Sequence, residues 1–149
     1  IKAWATQRGI NDRATGTLST YTILLQMVYI FQKFSIFPNF ASFSRDSGEL
    51  FDEMNGIERP LPFDAFKAKT GNPSGPGIDE LMAEYFDTFS KFENGAEIVD
   101  GNVFPAPNVL IMRCPLTGKD VNTMNSSSWK KIHSEFQRAC DNSVDNISL

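Results

Sequence analysis

Hydroxyls, a lysine and a ring gather in the first 21 residues of the chain: Lys2, Arg8, Thr17, Ser19, Thr20 and Tyr21. Gly16-Thr17-Leu18-Ser19-Thr20 leads into Tyr21 and a long apolar run, so a helix is expected to start there. A helix N-terminus presents free N–H groups and the positive end of a dipole. Hydroxyls and a lysine beside such a start suit phosphates, and a tyrosine ring one residue inside suits stacking on a base. The same residues also read as plain architecture, with Ser19 capping the helix and Tyr21 packing. On spacing alone that plainer reading is the stronger.

Other chemistry is sparse. His133 is the only histidine and stands beside Ile132 on an expected helix, where a partly exposed structural role outweighs that of a general base. Asp52-Glu53 and Asp79-Glu80 are adjacent acids pointing to different azimuths, and read as solvated faces and helix N-terminal charge. No catalytic residue and no metal ligand set is assigned. Cys114 and Cys140 form no CxxC pair, which leaves two reduced thiols in an intracellular protein of undefined compartment. A net charge of −4 argues against a freestanding nucleic-acid binder but leaves room for a local basic strip.

The elements that must position these groups are mostly helical. The chain of 149 residues is one domain's worth; it opens on Ile1-Lys2-Ala3-Trp4 without an initiator Met and reads as a fragment. Residues 1–8 are helix-compatible. Residues 21–34 are apolar on every face, which predicts a buried central helix; Gln26, Gln32 and Lys33 keep the run short of the ~20 residues a bilayer needs, so no membrane partner is expected. Residues 40–77 read as an irregular surface excursion with a short helical candidate at 49–54 and breakers in series. Ile78, Leu81, Met82, Tyr85, Phe86 and Phe89 form an amphipathic stripe. Ala96-Glu97-Ile98-Val99 and Val109-Leu110-Ile111-Met112 are strand candidates, read as the two arms of a hairpin. Ser126-Ser127-Ser128 offers N-cap hydroxyls to a last helix that turns Trp129, Ile132 and Phe136 inward, and the tail from Asp141 reads as frayed. The fold class is therefore mainly α (α+β) with a small β-hairpin.

Ile1-Lys2-Ala3-Trp4-Ala5-Thr6-Gln7-Arg8-Gly9-Ile10-Asn11-Asp12, followed by Gly16-Thr17-Leu18-Ser19-Thr20-Tyr21, resembles a long signature of the DNA-polymerase-β-like RNA terminal nucleotidyltransferases, the divergent poly(A) polymerases and terminal uridylyltransferases. Ile36-Phe37-Pro38-Asn39, the helix at 78–93, Cys114-Pro115-Leu116-Thr117 and the Ser-Ser-Trp-Lys-Lys-Ile-His-Ser-Glu-Phe stretch resemble later parts of the family pattern. Coverage is nearly the whole chain, and residues 40–77 are its loosest part.

The resemblance implies that residues 1–149 are the helical central and poly(A)-polymerase-associated domain. The partner wall of the cleft, an N-terminal palm domain holding Mg²⁺ or Mn²⁺, is outside this sequence. The expected partners are an RNA 3′ end and ATP or UTP. By resemblance Lys2 neutralises the triphosphate, Thr20 donates its hydroxyl to it and Tyr21 stacks on the base. Two departures stand out. The family's second phosphate lysine falls at Thr6, a lost contact of about 1.5–3 kcal/mol. The acidic positions that hold a uracil edge fall at Cys114 and Thr117, and the family histidine falls at Asp120 or Lys119. Missing carboxylates remove the usual argument for UTP and lean toward ATP. A catalytically inactive scaffold subunit is the alternative these departures motivate. An unrelated helical module with a Phe-rich surface explains composition but not the ordered signature.

Overall fold

A computed structural model describes residues 1–40, 51–52, 57–58, 74–115, 117–121 and 124–146. Helix α1 spans Lys2–Gln7, a 3₁₀ turn Arg13–Thr15, and α2 Thr20–Lys33; α3 is Ile78–Ser90 and α4 Ser126–Asn146. Strands β1 (Phe51–Asp52) and β2 (Ile57–Glu58) form an antiparallel pair. Strands β3 (Ala96–Val99), β4 (Asn102–Pro105) and β5 (Leu110–Met112) form a second sheet in the order β4-β3-β5. The fold is α+β, with helices predominating around a small three-stranded sheet. Among the described residues no helix is long and apolar enough to cross a membrane.

Aromatic rings join the helices. Trp4 of α1 meets Phe86 of α3 edge-on at 4.9 Å and Phe136 of α4 at 5.3 Å. Phe89 and Tyr85 lie 5.5 and 5.6 Å from Phe136, so one ring on α4 touches both α1 and α3. Rings at these separations and tilts gain more than their buried area alone provides. The stripes on α3 and α4 are as the spacing predicts: Tyr85, Phe86, Phe89, Trp129, Ile132 and Phe136 are buried. Trp129 donates its indole N–H to the Phe92 carbonyl at 3.1 Å, satisfying the polar edge of a fully buried ring.

Several local expectations are corrected. The two strand candidates are not arms of one hairpin, because β3 and β5 run parallel with Ala96 opposite Leu110. The hairpin is β3–β4, closed by Asp100 (φ 48°) and Gly101 (φ 80°), the positive pair that matches the natural strand twist in a two-residue turn. The helical candidate at 49–54 instead contains strand β1, and the remainder of the 40–77 excursion lies largely outside the described residues. The last helix is capped by Asn125, whose Oδ1 accepts from the Ser128 amide at 2.9 Å and the Ser127 hydroxyl at 2.7 Å. That helix continues to Asn146 rather than ending near Asp141. His133 is buried, its Nε2 donating to the Ser90 carbonyl at 2.6 Å beside the Trp129 ring.

Helix α2 is not covered on every side. Thr22, Ile23, Leu25, Gln26 and Ile30 are buried, whereas Tyr21 is 46% and Leu24 52% exposed. These two residues are three apart and share one face, so the open strip runs along the first turns of the helix. The Asp100 carboxylate anchors the other end. It accepts from Gln32 Nε2 at 3.0 Å and from the Phe40 amide at 2.7 Å, tying the hairpin turn to the segment that leaves α2.

Candidate functional site

The start of α2 is built by the turn that precedes it. Asp12 Oδ1 accepts from the Ala14 amide at 2.9 Å, and the buried Thr17 hydroxyl donates to the Asp12 carbonyl at 2.8 Å while accepting from the Asp12 amide. Leu18 then enters the core, donating its amide to the Ile10 carbonyl at 2.9 Å. Ser19 is the N-cap: its Oγ accepts from the Thr22 amide at 3.0 Å and lies 2.9 Å from the Thr22 hydroxyl. Thr17 and Ser19, both read as hydroxyl donors toward a ligand, are therefore engaged in building the turn and cap. Thr20 is exposed in the first helical position. Its amide and that of Tyr21 precede any intrahelical acceptor, so they sit at the positive end of a helix of 14 residues.

Tyr21 projects from this end with its ring open and its hydroxyl held. The hydroxyl donates to Cys114 Sγ at 3.3 Å across 93 residues of sequence. This hydrogen bond, with partial burial and the sulfur's charge behind it, pushes the phenol up to about 12. The hydroxyl is therefore a proton donor throughout the neutral range. Cys114 is 5% exposed at the exit of β5. Its amide donates to the Lys119 carbonyl at 2.9 Å and its carbonyl accepts from the Gly118 amide at 2.8 Å, closing a tight turn.

Thr117 and Asp120 are exposed on that same turn. Asp120 forms a backbone β-bridge with Arg113, whose guanidinium pairs with Glu97 and donates from Nη1 to the Gly118 carbonyl at 3.2 Å. The structure thus joins Tyr21 to the turn carrying Thr117 and Asp120. Thr6 is linked to the turn before α2: its hydroxyl donates to Asn11 Oδ1 at 3.4 Å, and Asn11 Nδ2 donates to the Leu18 carbonyl at 2.9 Å. Lys2 lies one turn before Thr6 on the same exposed face of α1. It does not enter the hydrogen-bonded group around Tyr21.

Two curated relatives are similar to part of this chain. Poly(A) RNA polymerase GLD2-B of Xenopus laevis is 34% identical over 94 residues, which are 58% of this chain and 18% of the relative. Poly(A) RNA polymerase GLD2-A of the same organism is 26% identical over 117 residues, 76% of this chain and 23% of the relative. This similarity supports a poly(A)-polymerase-like family. The chain spans about a fifth of the length of these curated relatives. No family model matches it.

Sequence reasoning takes Cys114 as a reduced thiol and as a missing carboxylate, and misses it as the partner of Tyr21. It takes Leu24 as core, whereas this residue is exposed. No local signal pairs positions 21 and 114, because a tertiary hydrogen bond leaves no periodicity. Elsewhere, an apolar cavity of about 180 Å³ is lined by Ile1, Met27, Phe31, Ile78, Met82 and Tyr85. Its one hydroxyl, that of Tyr85, donates to Gln26 at 2.7 Å, so it offers nothing to a triphosphate. Among the described residues no three His, Cys, Asp or Glu side chains gather as metal ligands would.

Proposed function

We propose that this chain is the nucleotide-binding helical part of a template-independent RNA 3′-terminal nucleotidyltransferase that adds AMP or UMP to RNA 3′ ends. The observation that carries the reading is Tyr21: an open ring at the positive end of α2, with its hydroxyl fixed on Cys114. In this reading the base stacks on Tyr21 and the triphosphate lies over the Thr20 hydroxyl and the first amides of the helix. Lys2 adds a positive charge on neighbouring α1, and Thr6 supplies a neutral hydroxyl where a second cation would help. The exposed turn presents Thr117 and Asp120, with Lys119 between them, to the base edge. The poly(A) polymerase activity of the two relatives, and the lack of a carboxylate at Cys114 and Thr117, favour ATP over UTP.

Transfer then requires positioning above all. An RNA 3′-hydroxyl is held in line with the α-phosphate while cations neutralise the leaving diphosphate. Divalent Mg²⁺ or Mn²⁺ would be supplied from a palm domain in another part of the protein, inside the cell; this chain contributes binding. The Thr6 departure favours a second reading, in which the protein keeps the fold as a scaffold subunit without turnover.

Photo-crosslinking of ATP and UTP to the full-length protein tests the site. Tyr21→Ala is expected to abolish most labelling, with ATP labelling the parent more strongly than UTP. Equal labelling of parent and variant would overturn the base contact. Labelling without nucleotide addition would favour the scaffold.

A further inference from the structure

We infer that Cys114 is a positioning residue for nucleotide binding, holding the Tyr21 ring in one χ1 well through the hydroxyl–sulfur hydrogen bond rather than meeting the base itself. This deepens the proposed function and rests on Tyr21 being the base platform. Three features of the geometry carry it. Cys114 is buried and so does not present its sulfur to a ligand in the open strip. Its backbone is pinned on both sides, by Lys119 through its amide and by Gly118 through its carbonyl, so the side chain that carries Sγ leaves a fixed backbone. Tyr21 is nearly half exposed, and an exposed tyrosine would otherwise sample several χ1 wells.

A ring tied at its hydroxyl stays in one χ1 well and does not swing out of the strip, while its face remains open. A stacking partner then meets a preorganised surface, with less rotamer entropy lost on binding. The same bond sets the distance between the stacking face and the turn that carries Thr117 and Asp120. Ring and edge-facing residues are thereby registered to one another, although they come from opposite ends of the chain.

The test is a set of variants in the full-length protein: Tyr21→Phe, Cys114→Ala, Cys114→Ser, the Tyr21→Phe/Cys114→Ala pair and Tyr21→Ala. Equilibrium dissociation constants for ATP and UTP are measured, with the phenol titration followed by ultraviolet difference absorbance. Tyr21→Phe keeps the ring and removes only one part-buried hydroxyl, so it also guards against loss of fold. It and Cys114→Ala are each expected to weaken nucleotide binding about five-fold, the scale of one neutral hydrogen bond. The pair is expected to be no weaker than either single variant, since both remove one bond.

Cys114→Ser offers another acceptor and is expected to restore most of the affinity. In Cys114→Ala the Tyr21 phenol is expected to fall from about 12 toward its ordinary value of 10.0, a change that a purely packing role for Cys114 would not produce. Unchanged affinity in Tyr21→Phe and Cys114→Ala, or losses that multiply in the pair, overturns the inference. If Tyr21→Ala loses affinity steeply while Tyr21→Phe does not, the base contact stands and only the positioning role falls. If Tyr21→Ala also binds normally, both fall.

Discussion

The Tyr85 hydroxyl donates to Gln26 Oε1 at 2.7 Å between two side chains that water scarcely reaches. Removing one partner leaves the other desolvated without compensation, so Tyr85→Phe is expected to cost about 1–3 kcal/mol in urea unfolding. Replacing both, as Tyr85→Phe with Gln26→Leu, is expected to recover much of that loss, because neither polar group then remains in the core. Phenol titration adds a pH dependence. Tyr21 ionises at 10.0 unfolded and about 12 folded, so its contribution to stability is complete below the first value and lost as pH rises through the second. Burial pushes the Tyr85 phenol up as well, in the same sense. Unfolding free energy is expected to fall steadily above about pH 10, and to fall less steeply in Tyr21→Phe.

At the scale of elements, the β3–β4 turn does more than reverse the chain. Gly101 has φ 80°, and a Cβ there would come within 2.8 Å of Asn39 Oδ1. Gly101→Ala is therefore expected to lower stability by about 1–2 kcal/mol from the left-handed backbone alone, read by chemical denaturation. Gly95 is tighter still, since a Cβ would lie 2.5 Å from the Ala106 and Val109 carbonyls, which lets β5 return alongside β3. Asp100-Gly101 is a recognisable hairpin dipeptide, but β4 carries exposed residues throughout and lacks the apolar alternation by which strands are found. Val109-Leu110-Ile111-Met112 has the stronger pattern and is the partner that sequence expects for β3 in its place. Pattern identified the strand and not its direction, because parallel and antiparallel pairs bury the same side chains.

Across the whole molecule, α1, α3 and α4 depend on one cluster of rings. Phe136 is fully buried and packs against Trp4, Tyr85, Phe86 and Phe89. Phe136→Ala is expected to cost about 3–5 kcal/mol and to lower the thermal midpoint of all helices together, followed by circular dichroism. Leu24→Ala, on the open strip of α2, is expected to change stability by less than about 0.5 kcal/mol. The contrast separates the core from the surface proposed to meet a nucleotide.

What the sequence by itself determined is local. The helix stripes of α3 and α4, the start of α2 at Ser19 and the turn before it follow from apolar period, capping hydroxyls and glycine placement, each complete within a few residues. Resemblance extended that reading to roles for Lys2, Thr6, Thr20, Tyr21, Thr117 and Asp120, and the similarity to poly(A) RNA polymerases agrees with the general class. Only the tertiary structure decided which strip of the all-apolar helix stays open, and that Tyr21 rests on Cys114. Apolar periodicity states that a face is covered without saying by what. A hydrogen bond between residues 93 positions apart depends on how sheet and helix pack, and packing is a property of the assembled chain.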